Sequence, residues 1–142
     1  MKDKYIVYFI SKTKKKMMSF IENKLKETEI NDLVPAYGNI LTVLYNNNGQ
    51  LNMKQIGDLI GKDKSTITAL VNKLIKLGYV IKEKSQIDRR ITYVKLTDKG
   101  WKAEPIFNDI SSQVYERAYS NFTDEEKETL LRLLKKLNNN FD

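Results

Sequence analysis

Two segments that each carry the marks of an α-helix lie almost end to end in NMKQIGDLIGKDKSTITALVNKLIKLG, Asn52 to Gly78, with only Gly61 and Lys62 between them. Asn52 suits an N-cap, Gln55 stands in the capping-box position, and Ile56, Leu59 and Ile60 share one face. Asp63 suits the N-cap of the second segment, whose apolar face is Ile67, Leu70, Val71, Leu74 and Leu77. So short a link forces a tight crossing, and Gly57 on the inner face removes the side chain that would hold the helices apart.

Rotating the second segment exposes its other face: Lys64, Ser65, Thr66, Thr68, Ala69, Asn72, Lys73 and Lys76. Short hydroxyl, amide and cationic groups of this kind hydrogen-bond to base edges and phosphates in a major groove. On an isolated helix such a face reads as solvated surface. Here the charge distribution weighs against that reading. The chain carries a formal +7, and Asn52 to Thr97 alone holds ten Lys or Arg against four Asp or Glu, a balance of +6. Met1 to Leu51 contributes +3 and Asp98 to Asp142 contributes −2. The charge suggests an acidic partner such as nucleic acid or a membrane surface, met by the middle of the chain, and Lys62 in the turn joins the candidate contacts.

After Gly78, YVIKEK and ITYVKL alternate Val, Ile, Thr and Tyr as the arms of a hairpin do, with SQIDRR as its loop. An arginine at such a tip can enter the narrow, electronegative minor groove. Arg89 or Arg90 takes that role in this reading, with Asp88 bracing the other. The bland alternative is an exposed loop with an incidental ion pair, worth about 0 to 1 kcal/mol.

At this point LVPAYGNILTVL, followed by QIGDLIGKDKSTITALVNKLIKLGYVIKEKSQIDRRITYVKLTDKG, resembles the winged helix-turn-helix repressors of the MarR family over roughly Leu33 to Gly100. The KSTIT start of the recognition helix, the LxxxGYV exit, the DRR wing tip and LTDKG form a connected set. The resemblance implies a homodimeric DNA-binding transcriptional regulator, a repressor on a palindromic operator. Lys64, Ser65, Thr66, Thr68 and Asn72 would face the major groove and Arg89 the minor groove. Ala69 stands where many relatives carry Arg, and Asn72 where Asp is frequent. Many relatives also answer to small aromatic ligands between their dimerisation helices and winged domain, a crevice that Tyr37, with Tyr8 and Phe9, could line.

The flanks agree in kind. Lys4 to about Thr28 carries a stripe through Tyr5, Ile6, Phe9, Ile10, Met17, Met18, Ile21 and Leu25, and Pro35 opens a further helix with Ile40, Leu41 and Leu44. Thr97 caps a segment in which Trp101, Phe107, Ile110, Val114, Ala118 and Phe122 recur at helical spacing, with a kink or restart expected at Pro105. Thr123 to Glu126 forms a capping box before Leu130, Leu131, Leu133, Leu134, Leu137 and Phe141. Apolar faces this broad at both ends are best buried by the same helices of a second copy.

The expected fold is therefore mainly α with a small β-hairpin wing. One unit over 1–142 is expected, with 33–100 as the winged core and 4–30 and 101–142 as dimerisation helices. The chain has no Cys and no His, which excludes thiol switching, Cys or His catalysis and the usual transition-metal ligands. Glu125 and Glu126 sit at a helix start, where the dipole favours them, and no phosphate-binding glycine loop appears, so neither an enzyme nor a cofactor is expected. YIVYFI is too short for a signal-peptide core or a membrane span, so a cytoplasmic location is expected, with no membrane partner. The competing readings are a winged-helix protein adapter and a non-specific DNA-binding protein.

Overall fold

A computed structural model describes residues 5–142, and Lys4, where the first helix was expected to begin, lies outside them. The elements are α1 (Ile6–Lys26), α2 (Pro35–Tyr45), β1 (Gln50–Asn52), α3 (Met53–Ile60), α4 (Lys64–Lys76), β2 (Val80–Lys84), β3 (Thr92–Leu96), α5 (Asp98–Lys102), α6 (Glu104–Ala118) and α7 (Asp124–Asn139). The fold is mainly α with a small antiparallel sheet, as the sequence implies. No helix among the described residues is long and apolar enough to cross a membrane.

The chain divides into two compact units, 1–110 and 111–142. The core of the first is aliphatic: Leu25, Ile40, Leu41, Leu44, Ile56, Val71, Leu74 and Val94 are fully enclosed. Each such side chain contributes about 1.5 to 3 kcal/mol through removal from water. α4 turns Ile67, Val71 and Leu74 inward, while Leu70 and Leu77 at the margin are half-buried. In α3 only Ile56 is buried, and Leu59, expected on the same face, is exposed. With about 100° per residue, Leu59 lies about 60° to one side of Ile56. Gly57 lies to the other side, against the Lys62 carbonyl and Ile67, so the packed face rotates away from Leu59.

The sheet has three strands in the order β1-β3-β2. Val94 of β3 faces Leu51 on one side and Lys82 on the other. The alternating runs show the hairpin but not β1, which is only three residues long. Asn52 serves twice, ending β1 and capping α3: its side chain accepts from the Gln55 amide at 2.8 Å while Gln55 Oε1 accepts from the Asn52 amide at 2.9 Å.

The base of the wing is packed onto α5. Thr97 accepts from the Gly100 amide at 3.1 Å and donates to the Gly78 carbonyl at 2.6 Å, and the Tyr45 hydroxyl donates to the Gly100 carbonyl at 2.6 Å. Burial pushes the Tyr45 phenol well above its ordinary range, so it stays a donor. Tyr79, only 1% exposed, donates to Asp32 at 2.7 Å. Lys99 sits 4.4 Å from the Tyr79 ring centroid, pairs with Asp32 at 3.7 Å and donates to the Leu77 carbonyl at 2.7 Å. The 27–34 connection is thereby fastened to the foot of β2.

The helical segment after Thr97 breaks at Ala103 and restarts, with Pro105 in the first turn of α6, where its missing amide costs no helical bond. In the second unit α6 ends at Ala118, Asn121 takes a left-handed conformation (φ 65°), and Phe122, outside the helix, packs edge-on to Tyr119. The expected capping box joins Thr123 and Glu126. α7 buries none of its residues, and Leu130, Leu131, Leu133 and Leu134 lie open.

A β-carbon at Gly100 would run into the Tyr79 carbonyl oxygen, which is backbone and cannot rotate away. Gly100→Ala should therefore cost about 2 kcal/mol or more in urea denaturation. A loss below about 0.5 kcal/mol would contradict this packing.

Candidate nucleic-acid interface

The turn between α3 and α4 is closed by backbone alone. Gly61 adopts a left-handed conformation (φ 76°), its amide donates to the Gly57 carbonyl at 2.8 Å, and the Lys62 amide joins at 3.2 Å. A β-carbon at Gly57 would stand 3.3 Å from the Lys62 carbonyl oxygen. Asp63 then caps α4, accepting from the Thr66 amide at 2.8 Å and the Ser65 hydroxyl at 2.9 Å.

Beyond this cap α4 presents the polar face expected of it. Lys64, Ser65, Thr66, Ala69, Asn72, Lys73 and Lys76 are exposed and Thr68 is half-buried. Lys64, Ser65, Thr68, Ala69 and Asn72 line one open recess of about 540 Å³. Asn72 also accepts from Lys82 of β2 at 2.9 Å. A second groove, of about 640 Å³, runs between the start of α3, the turn and the wing, and Lys54, Lys62, Lys64 and Arg90 bring four cations to its walls beside Asp58.

The wing loop is ordered by its own polar groups. Ser85 is buried and its hydroxyl oxygen accepts from the Ile87 and Asp88 amides, both at 3.2 Å. Its amide donates to the Ile91 carbonyl at 2.9 Å, and the Ile91 amide donates to the Asp88 carbonyl at 3.0 Å. Asp88 receives Arg90 through a two-pronged contact, Nε to Oδ1 and Nη2 to Oδ2, each 3.0 Å, with the Arg90 amide at 3.1 Å. That guanidinium holds the Asp88 carboxyl below its ordinary range. Arg89 points into solvent, and among the described residues it makes no hydrogen bond or ion pair. Ile87 beside it is 99% exposed.

The sequence-derived candidates thus fall into two groups. Lys62, Lys64, Ser65, Thr66, Thr68, Asn72, Lys73, Lys76, Asp88, Arg89 and Arg90 belong to α4, the turn before it and the wing. Tyr37, Tyr8 and Phe9 line neither groove. Tyr8 and Phe9 meet edge to face at 5.3 Å on the open surface of α1, where Lys12 donates to the Tyr8 hydroxyl at 3.2 Å, and Tyr37 is half-buried in the first turn of α2. Three residues of the site escape a sequence reading. Lys54 enters the groove because β1 swings the start of α3 beside the wing, and Lys82 reaches Asn72 across ten residues. Ser85 had a local signal, a serine opening a polar loop.

Comparison with known proteins matches residues 31–91 to the MarR family. The transcriptional regulator SarZ of Staphylococcus epidermidis is 32% identical over 106 residues, 74% of this chain and 70% of that one. The chain belongs to the MarR family. A MarR protein from Peptoclostridium difficile superposes with a TM-score of 0.88 at 29% identity, covering 99% of this chain and 90% of its own. A MarR-family regulator from Listeria monocytogenes, solved with a 26mer DNA, shares the fold at a TM-score of 0.84 and 24% identity, over 99% and 89% of the two chains. The MarR match at 31–91 spans the end of the 27–34 connection, α2 to α4, β1, β2 and the wing loop, where the polar face and arginine tip lie.

The cap of α4 has a pH signature. The Thr66 amide, first among the contributors, holds the Asp63 carboxyl below its ordinary range. Its contribution to stability is complete above the ordinary carboxylate range near 4 and is lost as pH falls through the lowered value. Asp63→Asn keeps the capping geometry without a titrating charge. Between about pH 5 and about pH 2.5 the melting temperature of the original chain should therefore fall further than that of Asp63→Asn. Equal falls would remove Asp63 as an acid-labile cap.

Proposed function

We propose that this chain is a DNA-binding transcriptional regulator that acts as a homodimeric repressor on a palindromic operator. The observation that carries the reading is the joint presentation of an exposed polar face on α4 and an unengaged Arg89 at the tip of a wing ordered by Asp88 and Ser85. α4 would lie in the major groove, where Thr68 and Asn72 meet base edges while Lys62, Lys64, Lys73 and Lys76 meet phosphates. Arg89 would enter the adjacent minor groove, where the negative potential is strongest. Arg90, neutralised by Asp88, shapes the tip rather than reading DNA.

A second copy accounts for the apolar surface left open. Along α1, Ile6, Phe9, Ile10 and Met17 are exposed, and α7 exposes four leucines. Patches of this size on a lone chain mark an interface. A twofold mate would bring two α4 helices to one duplex, and half-sites one DNA turn apart, roughly 34 Å, are what such a pair would read as a palindrome.

Duplexes selected from a random pool supply the test. Arg89→Ala should weaken binding and reduce the slope of log affinity against log salt by about one unit, while the thermal melt stays in place. Unchanged affinity and slope would remove Arg89 from the interface. Thr68→Ala should alter the preferred sequence as well as the affinity, and uniform weakening across all sequences would contradict base contact by α4.

A further inference from the structure

Lys82 is placed so as to decide which end of the Asn72 amide meets a base. An ammonium group only donates, so the Asn72 atom 2.9 Å from Lys82 Nζ is the carbonyl oxygen. The amide NH2 is left as the free end on a residue that lines the α4 recess. An unconstrained asparagine pairs with adenine by donating and accepting at once. With its oxygen turned to a cation on β2, Asn72 presents mainly its donors to the groove, and the matching base edges carry acceptors: thymine O4, guanine O6 and N7, or adenine N7.

The rest of the recess separates those three bases. Ala69, whose side chain is a methyl group, lines it, and so does the half-buried Thr68, whose side chain carries a methyl beside its hydroxyl. Positions 65, 68, 69 and 72 fall on one side of the helix, with Ala69 the smallest side chain among them and Lys64 at the edge of the recess. Among base edges bearing an acceptor, only thymine also carries a methyl group in the major groove.

Resting on the DNA-binding reading above, we propose that the α4 recess reads one thymine per half-site. The Ala69 and Thr68 methyls would receive its C5 methyl and the Asn72 NH2 would donate to its O4. Lys82 acts as a positioning residue that fixes the polarity of the amide. Because Asn72 is neutral, Lys82 keeps its full charge and can reach a phosphate at the groove edge as well.

The test uses the full chain and a selected duplex in which each thymine of the half-site is replaced in turn by deoxyuridine, which lacks only the C5 methyl. At one thymine per half-site the replacement should weaken binding about four-fold, the effect of one methyl returned to water. At that position replacing the T·A pair by A·T should cost the original chain about ten-fold. Lys82→Met should reduce this discrimination to less than about three-fold whatever it does to overall affinity, and Lys82→Arg should restore it. Deoxyuridine tolerated without loss at every thymine, or discrimination unchanged by Lys82→Met, overturns the inference while leaving DNA binding intact. Absence of binding to any duplex by the original chain overturns the DNA-binding reading, and this inference with it.

Discussion

α4 can present a polar face to a partner because α3 passes close beneath its start, at Gly57, whose missing side chain leaves room for the Lys62 carbonyl. A longer side chain there would push the turn outward and pull Ile67 from the core. The left-handed Gly61 completes the corner, and Asp63 begins α4 immediately after it. Every feature of the proposed reading head is referenced to this corner. The cations of the larger groove come from both sides of it, and the Lys82 to Asn72 link joins the helix it launches to the wing.

The wing solves a different problem, that of keeping a solvent-exposed loop in one shape. Its tip carries little apolar burial, and Ile87 is wholly exposed. Order comes from short-range polar closure: one buried serine hydroxyl accepts two backbone amides, and one carboxylate accepts a forked guanidinium and an amide. An exposed ion pair of this sort adds little to global stability. Its value is local, since a loop already ordered before contact has less freedom to lose on binding.

Much of this was legible in the sequence because capping is local. Asn52 with Gln55, Asp63 with Thr66, Thr97 with Gly100 and Thr123 with Glu126 each lie three residues apart, within the range that a pattern can see. What escaped depends on tertiary approach. β1 exists because β3 passes beside it, and Gln-Leu-Asn has no periodicity of its own to report. The exposed Leu59 reflects the direction from which α4 packs, which α3 alone does not encode. Arg89 and Arg90 are chemically equivalent in the sequence, and only the fold of the loop gives Asp88 to Arg90. Tyr37, Tyr8 and Phe9 are joined by the family resemblance alone, and none of them lines the two grooves beside α4.

The fastening of Asp32, Tyr79 and Lys99 carries a mechanical consequence. The segment leading out of α1 is tied to the foot of β2 by a phenol, a carboxylate and an ammonium, with the phenol buried and held protonated by burial and by the neighbouring carboxylate. A displacement of that segment would strain these contacts first, and so be felt at the foot of β2. The strand that leads into the wing thus begins at a point fixed by the segment leaving α1, 47 residues earlier in the chain.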